Sequence, residues 1–299
     1  MPGEQMVRAN GIELCCETFG DPGGEPLLLV MGLGAQMITW PIELCEALAD
    51  RGFLVVRYDN RDVGRSTKFH DVGGDFMTSF LAAAQGEPIE VPYRLSDMAA
   101  DAAGLLDALG IESAHVVGAS MGGMIAQTIA IEHPARVRTL TSIMSTTGEP
   151  EVGQPTPEAM EMLLRPAPTT REEAIEASLA SWKVIGGSAH FDEERVRTQA
   201  AAAYDRCFNP AGTARQLLAI VASGSRADEL RALTVTTLVI HGDQDPLVTP
   251  SGGERTAELV PGATLLMIPG MGHDLPLAML PQIVDAITAL AARSAASAA

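Results

Sequence analysis

The feature that most constrains this fold is a succession of short, continuously apolar runs separated by longer, alanine-rich helical patterns. A strand with one face in water alternates polar and apolar residues, so runs that are apolar throughout must be buried on both faces. Helices on both faces of a sheet provide that burial. We therefore predict an α/β fold with a mostly parallel, doubly wound sheet, whose strands are expected at Ile12–Thr18, Pro26–Met31, Leu54–Tyr58, Ala114–Val117, Thr139–Met144, Thr236–Ile240 and Thr264–Ile268.

The helical patterns between these strands give the other layers of the fold. We expect helices at Pro41–Asp50, Leu95–Leu109, Met121–His133 and Glu254–Leu259, and a last helix from about Leu280 to Ala292. A shorter stretch, Thr67–Pro92, has no clear pattern and is predicted to be irregular. At 299 residues the chain is long enough to bury a core of this kind without disulfides or metal ions.

The composition limits the kinds of molecule that this protein is expected to bind. The chain has 38 acidic and 20 basic residues, a formal net charge of −18, and a surface this acidic repels phosphate backbones and anionic lipid. Glycines interrupt the longest apolar stretch, Pro26–Trp40, which is too short to span a membrane. We expect no nucleic-acid partner and no stable membrane insertion. No secretory signal is visible, so we expect a cytoplasmic protein. The four cysteines form no CxxC pair, so we expect buried free thiols and no zinc site.

The strongest chemical signal is a G-x-S-x-G motif centred on Ser120. It follows the predicted strand that ends at Val117 and begins the helix Met121–His133. A sharp strand-to-helix turn strains the serine backbone and needs small neighbours in space, which glycines supply. The free N–H groups of the helix N-terminus also favour negative charge there. Ser120 is therefore the predicted nucleophile, and the alternative is a glycine-rich turn that only packs closely or binds a phosphate.

A serine hydroxyl needs a base, and the base needs a partner that orients it. His273 follows the last predicted strand, at the edge where the carboxyl ends of parallel strands converge. The loop after the strand ending at Ile240 offers two candidate acids, Asp243 and Asp245. We assign Asp245 as the acid, because it lies further along the loop, and expect Asp243 to brace the turn. The resulting chain order is Ser, Asp, His.

Acyl transfer also needs two backbone N–H donors for the developing oxyanion. One donor is predicted at Met121, the residue after the nucleophile. The other is predicted at Leu33, within the turn Met31-Gly32-Leu33-Gly34 that follows a buried strand. The alternative for this second segment is a plain glycine turn.

The alternation of strands and helices stops between Gly148 and about Leu230. This segment begins with several prolines and continues with charged helical patterns at Thr170–Val184 and Asp192–Cys207. Long excursions from a compact domain are usually lids or binding elements. We predict a core of residues 1–147 and 231–299 and a helical cap, 148–230, over the active site. Six apolar residues of this segment could line a pocket or form the cap's own core: Met160, Met162, Leu163, Leu164, Trp182 and Phe191.

These motifs together resemble the α/β-hydrolase superfamily over essentially the whole chain. The segment Asp59–Ser66 is similar to the family's D-x-R-G-x-G-x-S loop, with Asp62 in place of the usual glycine. The turn at Leu33 departs from the more usual His-Gly. The combined motifs also resemble the aclacinomycin methylesterases and related actinobacterial carboxylesterases and lipases. This resemblance implies ester hydrolysis beneath a helical cap, without a metal ion or an organic cofactor.

We therefore expect a serine hydrolase that cleaves carboxylic esters of a small to medium apolar substrate through an acyl-enzyme. The expected partner is the small-molecule ester, and the chain is expected to be a monomer or a homodimer. The same triad also serves cofactor-free perhydrolase (haloperoxidase-type), thioesterase, acyltransferase and C–C hydrolase chemistry, and these alternatives stay open. A more distant alternative is a non-catalytic protein of this fold that binds a ligand.

Overall fold

The computed structural model describes residues 3–70, 76–84, 87–187 and 191–298. Within them, eight strands form one sheet in the order β1-β2-β4-β3-β5-β6-β7-β8. The pairs β1–β2 and β2–β4 are antiparallel and the remaining pairs are parallel. The strands are β1 (Gln5–Ala9), β2 (Ile12–Phe19), β3 (Glu25–Val30), β4 (Phe53–Tyr58), β5 (Ala114–Ala119), β6 (Val137–Ile143), β7 (Thr237–Gly242) and β8 (Thr264–Ile268).

The predicted α/β class and all seven predicted strands are confirmed. Strand β1 was not predicted from the sequence. It lies at the edge of the sheet and is mostly exposed, so it lacks the apolar run that marks the other strands. The helices are α1 (Ile42–Ala49), α2 (Phe76–Ala84), α3 (Leu95–Ala108), α4 (Met121–Glu132), α5 (Pro157–Leu163), α6 (Arg171–Ile185), α7 (Glu193–Arg206), α8 (Pro210–Ser223), α9 (Ala227–Leu230), α10 (Ser251–Leu259) and α11 (Leu280–Ala298).

Three helix predictions need correction. Helix α2 lies within the stretch that was predicted to be irregular, α10 begins at Ser251 rather than Glu254, and α11 continues to Ala298 rather than ending near Ala292. The glycines Gly252 and Gly253 hide the start of α10, since glycine is a poor helix former. Both glycines are buried against neighbouring elements, so tertiary packing decides the start of this helix.

Two apolar layers cover the faces of the sheet. Alternate residues of β3 point to opposite sides: Leu28 joins the layer of α3 and α4, whereas Leu27 and Leu29 join the layer of α1 and α11. All three side chains are fully buried. This two-sided burial is the reason that the strand is apolar throughout.

The segment 148–230, which we call the insert, lies between β6 and β7 and contributes helices α5 to α9. Buried arginines connect it to the sheet domain. Arg206, at the end of α7, donates to Asp59 at 2.7 Å and to Glu4 at 2.8 Å. Arg226, just before α9, donates to Gln127 of α4 at 3.0 Å. A buried guanidinium is stable only when it is paired, so these contacts hold the insert in one position on the sheet domain.

A third buried arginine, Arg215, explains why this chain has Asp62 where the D-x-R-G-x-G-x-S loop has a glycine. The backbone of Asp62 is left-handed, with φ of 72°, a conformation that favours glycine. Its carboxylate accepts two hydrogen bonds from Arg215 of α8, both at 2.8 Å, and one from the Tyr93 hydroxyl at 2.6 Å. Burial would raise the pKa of Asp62, but these donors and the Phe69 amide outweigh it and lower that pKa. The strained aspartate thus anchors α8.

None of the described helices is both long and apolar enough to cross a membrane. In the same residues, no cluster of histidine, cysteine and carboxylate side chains has the arrangement of a metal site. The four cysteines carry free thiols: Cys15, Cys16 and Cys45 are buried, and Cys207 is partly exposed.

Replacing Asp62 by glycine tests the anchor. Glycine relieves about 1 kcal/mol of left-handed backbone strain, but an unpaired buried arginine costs about 3–5 kcal/mol. We expect Asp62→Gly to lower the free energy of unfolding by about 2–4 kcal/mol, measured by urea denaturation. The double variant Asp62→Gly/Arg215→Met, which removes both charges, should recover a large part of this loss. Unchanged stability of the single variant would contradict the anchoring role.

Candidate active site

The turn between β5 and α4 places Ser120 at the carboxyl edge of the sheet. Ser120 has φ of 56° and ψ of −123°, a strained combination that its neighbours enforce. A Cβ atom on Gly118 would lie 2.0 Å from the Gly122 carbonyl oxygen, and one on Gly122 would lie 2.0 Å from the Val30 carbonyl oxygen. Only glycine at these two positions allows β3, β5 and α4 to approach so closely. The motif glycines are therefore a packing requirement of the turn.

The Ser120 backbone is held on both sides. Its N–H donates to the Ile143 carbonyl at 2.9 Å, and its carbonyl oxygen accepts from the Ser145 hydroxyl at 2.8 Å. The side-chain hydroxyl is left to interact elsewhere. It lies 2.9 Å from Nε2 of His273.

The structure brings the three predicted side chains of the triad together. Nδ1 of His273 lies 2.7 Å from Oδ2 of Asp245. The other carboxylate oxygen, Oδ1, accepts the backbone N–H groups of Leu247 and Val248, each at 2.9 Å. Asp243 lies outside this chain of contacts and accepts from the Gly270 amide at 2.7 Å, which braces the His273 loop. Of the two candidate acids, Asp245 is the one that reaches the histidine.

Electrostatics determine the direction of the hydrogen bonds. Burial would raise the pKa of Asp245, but the His273 ring and hydrogen bonds from His241 and His273 outweigh burial and lower it to about 2. An ionised carboxylate can only accept, so Nδ1 of His273 carries the proton in the neutral ring. Nε2 is then free to accept the Ser120 hydroxyl proton. This is the arrangement that a general base requires.

The two predicted backbone donors lie beside the serine. A Cβ atom on Gly32 would lie 3.0 Å from the Ser120 Cβ, so the turn that carries Leu33 passes directly over the nucleophile. Met121 is the first residue of α4, where backbone N–H groups have no partner within the helix. Among the described residues, neither the Leu33 nor the Met121 amide has a hydrogen-bond partner. Both are available to an oxyanion.

A mostly apolar cavity of about 560 Å³ opens onto Ser120 and His273. Of the six apolar insert residues named above, four line it: Met162, Leu163, Trp182 and Phe191. Leu164 lines a second cavity of about 740 Å³ between the insert and the core, to which Met162 and Leu163 also belong. Five of the six residues therefore face a cavity instead of only packing within the insert.

Residues 25–277 match the sequence family described as the alpha/beta hydrolase fold. The chain belongs to the α/β-hydrolase family. Rhodomycin D methylesterase DauP of Streptomyces sp. (strain C5) is 33% identical to it, over 95% of this chain and 97% of that protein. DnrP of Streptomyces peucetius, which carries the same enzyme name, is also 33% identical, over 95% and 97%. The family and these two relatives identify the chain as a hydrolase.

A solved structure shows the same fold. The meta-cleavage product hydrolase of Pseudomonas fluorescens IP01 superposes with a TM-score of 0.75 and covers 96% of each chain. Its sequence is only 20% identical, so this similarity concerns the architecture alone.

Sequence reasoning missed one residue of this α/β-hydrolase site. His241, at the end of β7, is fully buried, and its Nε2 lies 3.4 Å from Oδ2 of Asp245 and 2.7 Å from the Val248 carbonyl oxygen. Because a carbonyl oxygen only accepts, Nε2 of His241 carries a proton and faces the Asp245 carboxylate. In the sequence, His241 lies four residues before Asp245, but the sequence of a loop does not show which side chains point to the interior.

The packing of the serine turn is testable without an activity assay. Gly122→Ala should lower the free energy of unfolding by about 3 kcal/mol or more, because the added methyl group meets the Val30 carbonyl in a rigid sheet. Gly110→Ala is the matched control: Gly110 has φ of 71° but open space around it, so alanine should cost only about 1 kcal/mol. Urea denaturation compares the two variants, and equal losses would contradict the steric argument.

Proposed function

We propose that this α/β hydrolase is a serine esterase, which cleaves carboxylic esters through a Ser120–His273–Asp245 triad and an acyl-enzyme. The observation that carries the proposal is the continuous chain of contacts Ser120 Oγ–His273–Asp245, which opens onto an apolar cavity. The two free amides of Leu33 and Met121 beside the serine support it. So do the two methylesterase relatives, which align over 95% of the chain.

In acylation, Ser120 Oγ attacks the ester carbonyl carbon and its proton passes to Nε2 of His273. The carbonyl oxygen becomes an oxyanion, which the N–H groups of Leu33 and Met121 stabilise. Asp245, ionised because its pKa is about 2, holds the tautomer of His273 and stabilises the imidazolium. The bond to the alcohol then breaks, and the alcohol leaves with the proton from Nε2.

In deacylation, a water molecule gives a proton to Nε2 of His273 and attacks the acyl carbon. The same two amides stabilise the second oxyanion. The bond between the acyl carbon and Ser120 Oγ breaks, the carboxylic acid leaves, and the proton returns from Nε2 to Ser120. No step calls for a metal ion or an organic cofactor.

The insert, residues 148–230, is proposed to be a cap over a core formed by residues 1–147 and 231–299. The apolar insert residues that line the Ser120 cavity support this role, as do the buried arginine contacts to the core. A cap of this kind excludes water from the ester and strengthens the hydrogen bonds that stabilise the oxyanion.

The proposed substrate is a methyl or other small-alcohol ester of an apolar acid. The methylesterase relatives suggest the small alcohol, and the apolar walls of the cavity suggest the acid. The neighbouring cavity of about 740 Å³ offers additional room for the acyl group. The free thiols of the four cysteines fit a reducing compartment, and we propose the cytoplasm as its place of action.

The nucleophile is tested with p-nitrophenyl esters from acetate to laurate. Ser120→Ala should lose nearly all turnover and all labelling by a fluorophosphonate while keeping its fold, since it removes only the attacking oxygen. The control Ser294→Ala removes a hydroxyl from α11, where it donates to the Arg138 carbonyl, and should keep both activities. Retained turnover in Ser120→Ala would overturn the assignment, and a wild-type protein that neither turns over nor labels would favour a ligand-binding role.

The acid is tested by a matched pair of substitutions. Asp245→Asn should lower kcat by about 10⁴, because an amide donates to Nδ1 of His273 and moves the ring proton to the nitrogen that faces Ser120. Asp243→Asn, two residues away in the same loop, keeps an oxygen for the Gly270 amide and should change kcat by no more than about threefold. Steady-state kinetics distinguish them. A reversed pattern would make Asp243 the acid.

A further inference from the structure

Gln216, on α8 of the insert, connects two loops of the sheet domain. Its Oε1 accepts the backbone N–H of Gly34 at 2.8 Å, and its Nε2 donates to the Arg61 carbonyl at 2.8 Å. The side chain is fully buried. A buried amide with both ends satisfied is held in one orientation, so the two loops are fixed relative to α8.

The bond to Gly34 acts on the turn that carries the proposed oxyanion donor. The Gly34 N–H belongs to the peptide group that joins Leu33 to Gly34. The Leu33 N–H, the proposed oxyanion donor, belongs to the preceding peptide group. Only the φ and ψ rotations of Leu33 separate the two peptide planes, so fixing one of them restricts the orientation of the donor. Leu33 lies between two glycines, and glycine gives the backbone more freedom than any other residue. Without an external contact, this turn can rotate its amides away from Ser120.

Helix α8 also lies so close to the same turn that it leaves no room for a side chain on Gly34. Gly34 has φ of 66°, and a Cβ atom on it would lie 2.6 Å from Oγ1 of Thr213, one helical turn before Gln216. The helix itself is anchored by Arg215, which donates twice to Asp62. The turn at Leu33 therefore packs against α8, an insert helix whose own position is fixed.

We propose that Gln216 is a positioning residue for the oxyanion hole: through the Gly34 amide it holds the Leu33 N–H in the orientation that stabilises the transition state. This inference rests on the proposed serine esterase function. It assigns to the insert a part in catalysis beyond covering the site, because a side chain of α8 determines the geometry of a backbone donor in the core. Gln216 itself does not touch the substrate.

The first test is Gln216→Met, which keeps the length of the side chain and removes both hydrogen bonds. Complete loss of an oxyanion donor costs about 10²–10³ in kcat, so a donor that is only misaligned should cost about 10- to 100-fold. KM should change by less than about threefold, since the ground-state ester needs the donor less than the oxyanion does. Affinity for an alkyl boronic acid, which forms a tetrahedral adduct on Ser120, should fall in parallel with kcat/KM.

The matched control is Gln127→Met. Gln127 is also a fully buried glutamine that joins the core to the insert, through Arg226, but its other hydrogen bond is to the Ser142 hydroxyl and not to the turn at Leu33. It should lose stability while its kcat and boronic acid affinity stay within about twofold of the wild type. Equal losses of kcat in the two variants would reduce Gln216 to a structural residue and overturn the proposal.

A second variant, Gln216→Glu, keeps the proposal testable if the methionine variant does not fold. In its neutral form, glutamic acid can donate to the Arg61 carbonyl and accept from the Gly34 amide, as glutamine does. Once ionised, it repels the Arg61 carbonyl and places a negative charge near the oxyanion. The ratio of its kcat to that of the wild type should therefore be highest at low pH and fall as the pH rises. A ratio that does not change with pH would overturn the proposal.

Wild type and Ser120→Ala are assayed alongside, so that the two hypotheses fail in different ways. Activity in Ser120→Ala, or none in the wild type, would refute the serine esterase and this inference with it. An active wild type with a silent Ser120→Ala, combined with a Gln216→Met variant whose kcat is unchanged, would refute only the role of Gln216.

Discussion

The close approach of α4 to β3 and β5 is the contact on which the rest of the site depends. Gly118 and Gly122 leave no room for a Cβ atom, and their packing forces Ser120 into a left-handed backbone conformation at the carboxyl edge of the sheet. The strain is sustained because the surrounding parallel strands are buried on both faces and cannot relax. The same turn presents the Met121 amide and brings the Gly32 backbone next to the serine.

Around this turn, the site is assembled from loops at the carboxyl ends of four different strands. The turn after β3 carries Leu33, the turn after β5 carries Ser120, and the loops after β7 and β8 carry Asp245 and His273. None of these side chains is near another in the sequence. Parallel strands bring their carboxyl ends to one edge, so that loops distant along the chain meet there. The 2.7 Å and 2.9 Å contacts of His273 follow from that geometry.

The insert belongs to this assembly through buried charge. Arg206, Arg215 and Arg226 reach from it to Asp59, Asp62 and Gln127 of the core. Arg206 and Arg215 form ion pairs, and loss of either partner leaves a charge unpaired in a low-dielectric interior, whereas Arg226 is held by hydrogen bonds to Gln127 and to the Thr146 carbonyl. The Arg215 contact with Asp62 holds α8 against the turn at Leu33, where Gln216 accepts the Gly34 amide. The ion pair between Arg215 and Asp62 is thus connected, through α8, to the backbone geometry of the turn at Leu33.

The amino-acid sequence alone was enough to predict the α/β sheet and its seven apolar strands, because apolar runs are local features. It was also enough to predict that Ser120, Asp245 and His273 meet, because the motif glycines and the positions directly after buried strands are local features too. Their catalytic roles stay a proposal. The tertiary structure decided what depends on contacts across the chain: the exposed strand β1, the inward turn of His241, the pairing of Asp62 with Arg215, and the bridge made by Gln216. Long-range burial and pairing determine these, and no local pattern encodes which distant side chain will satisfy a buried group.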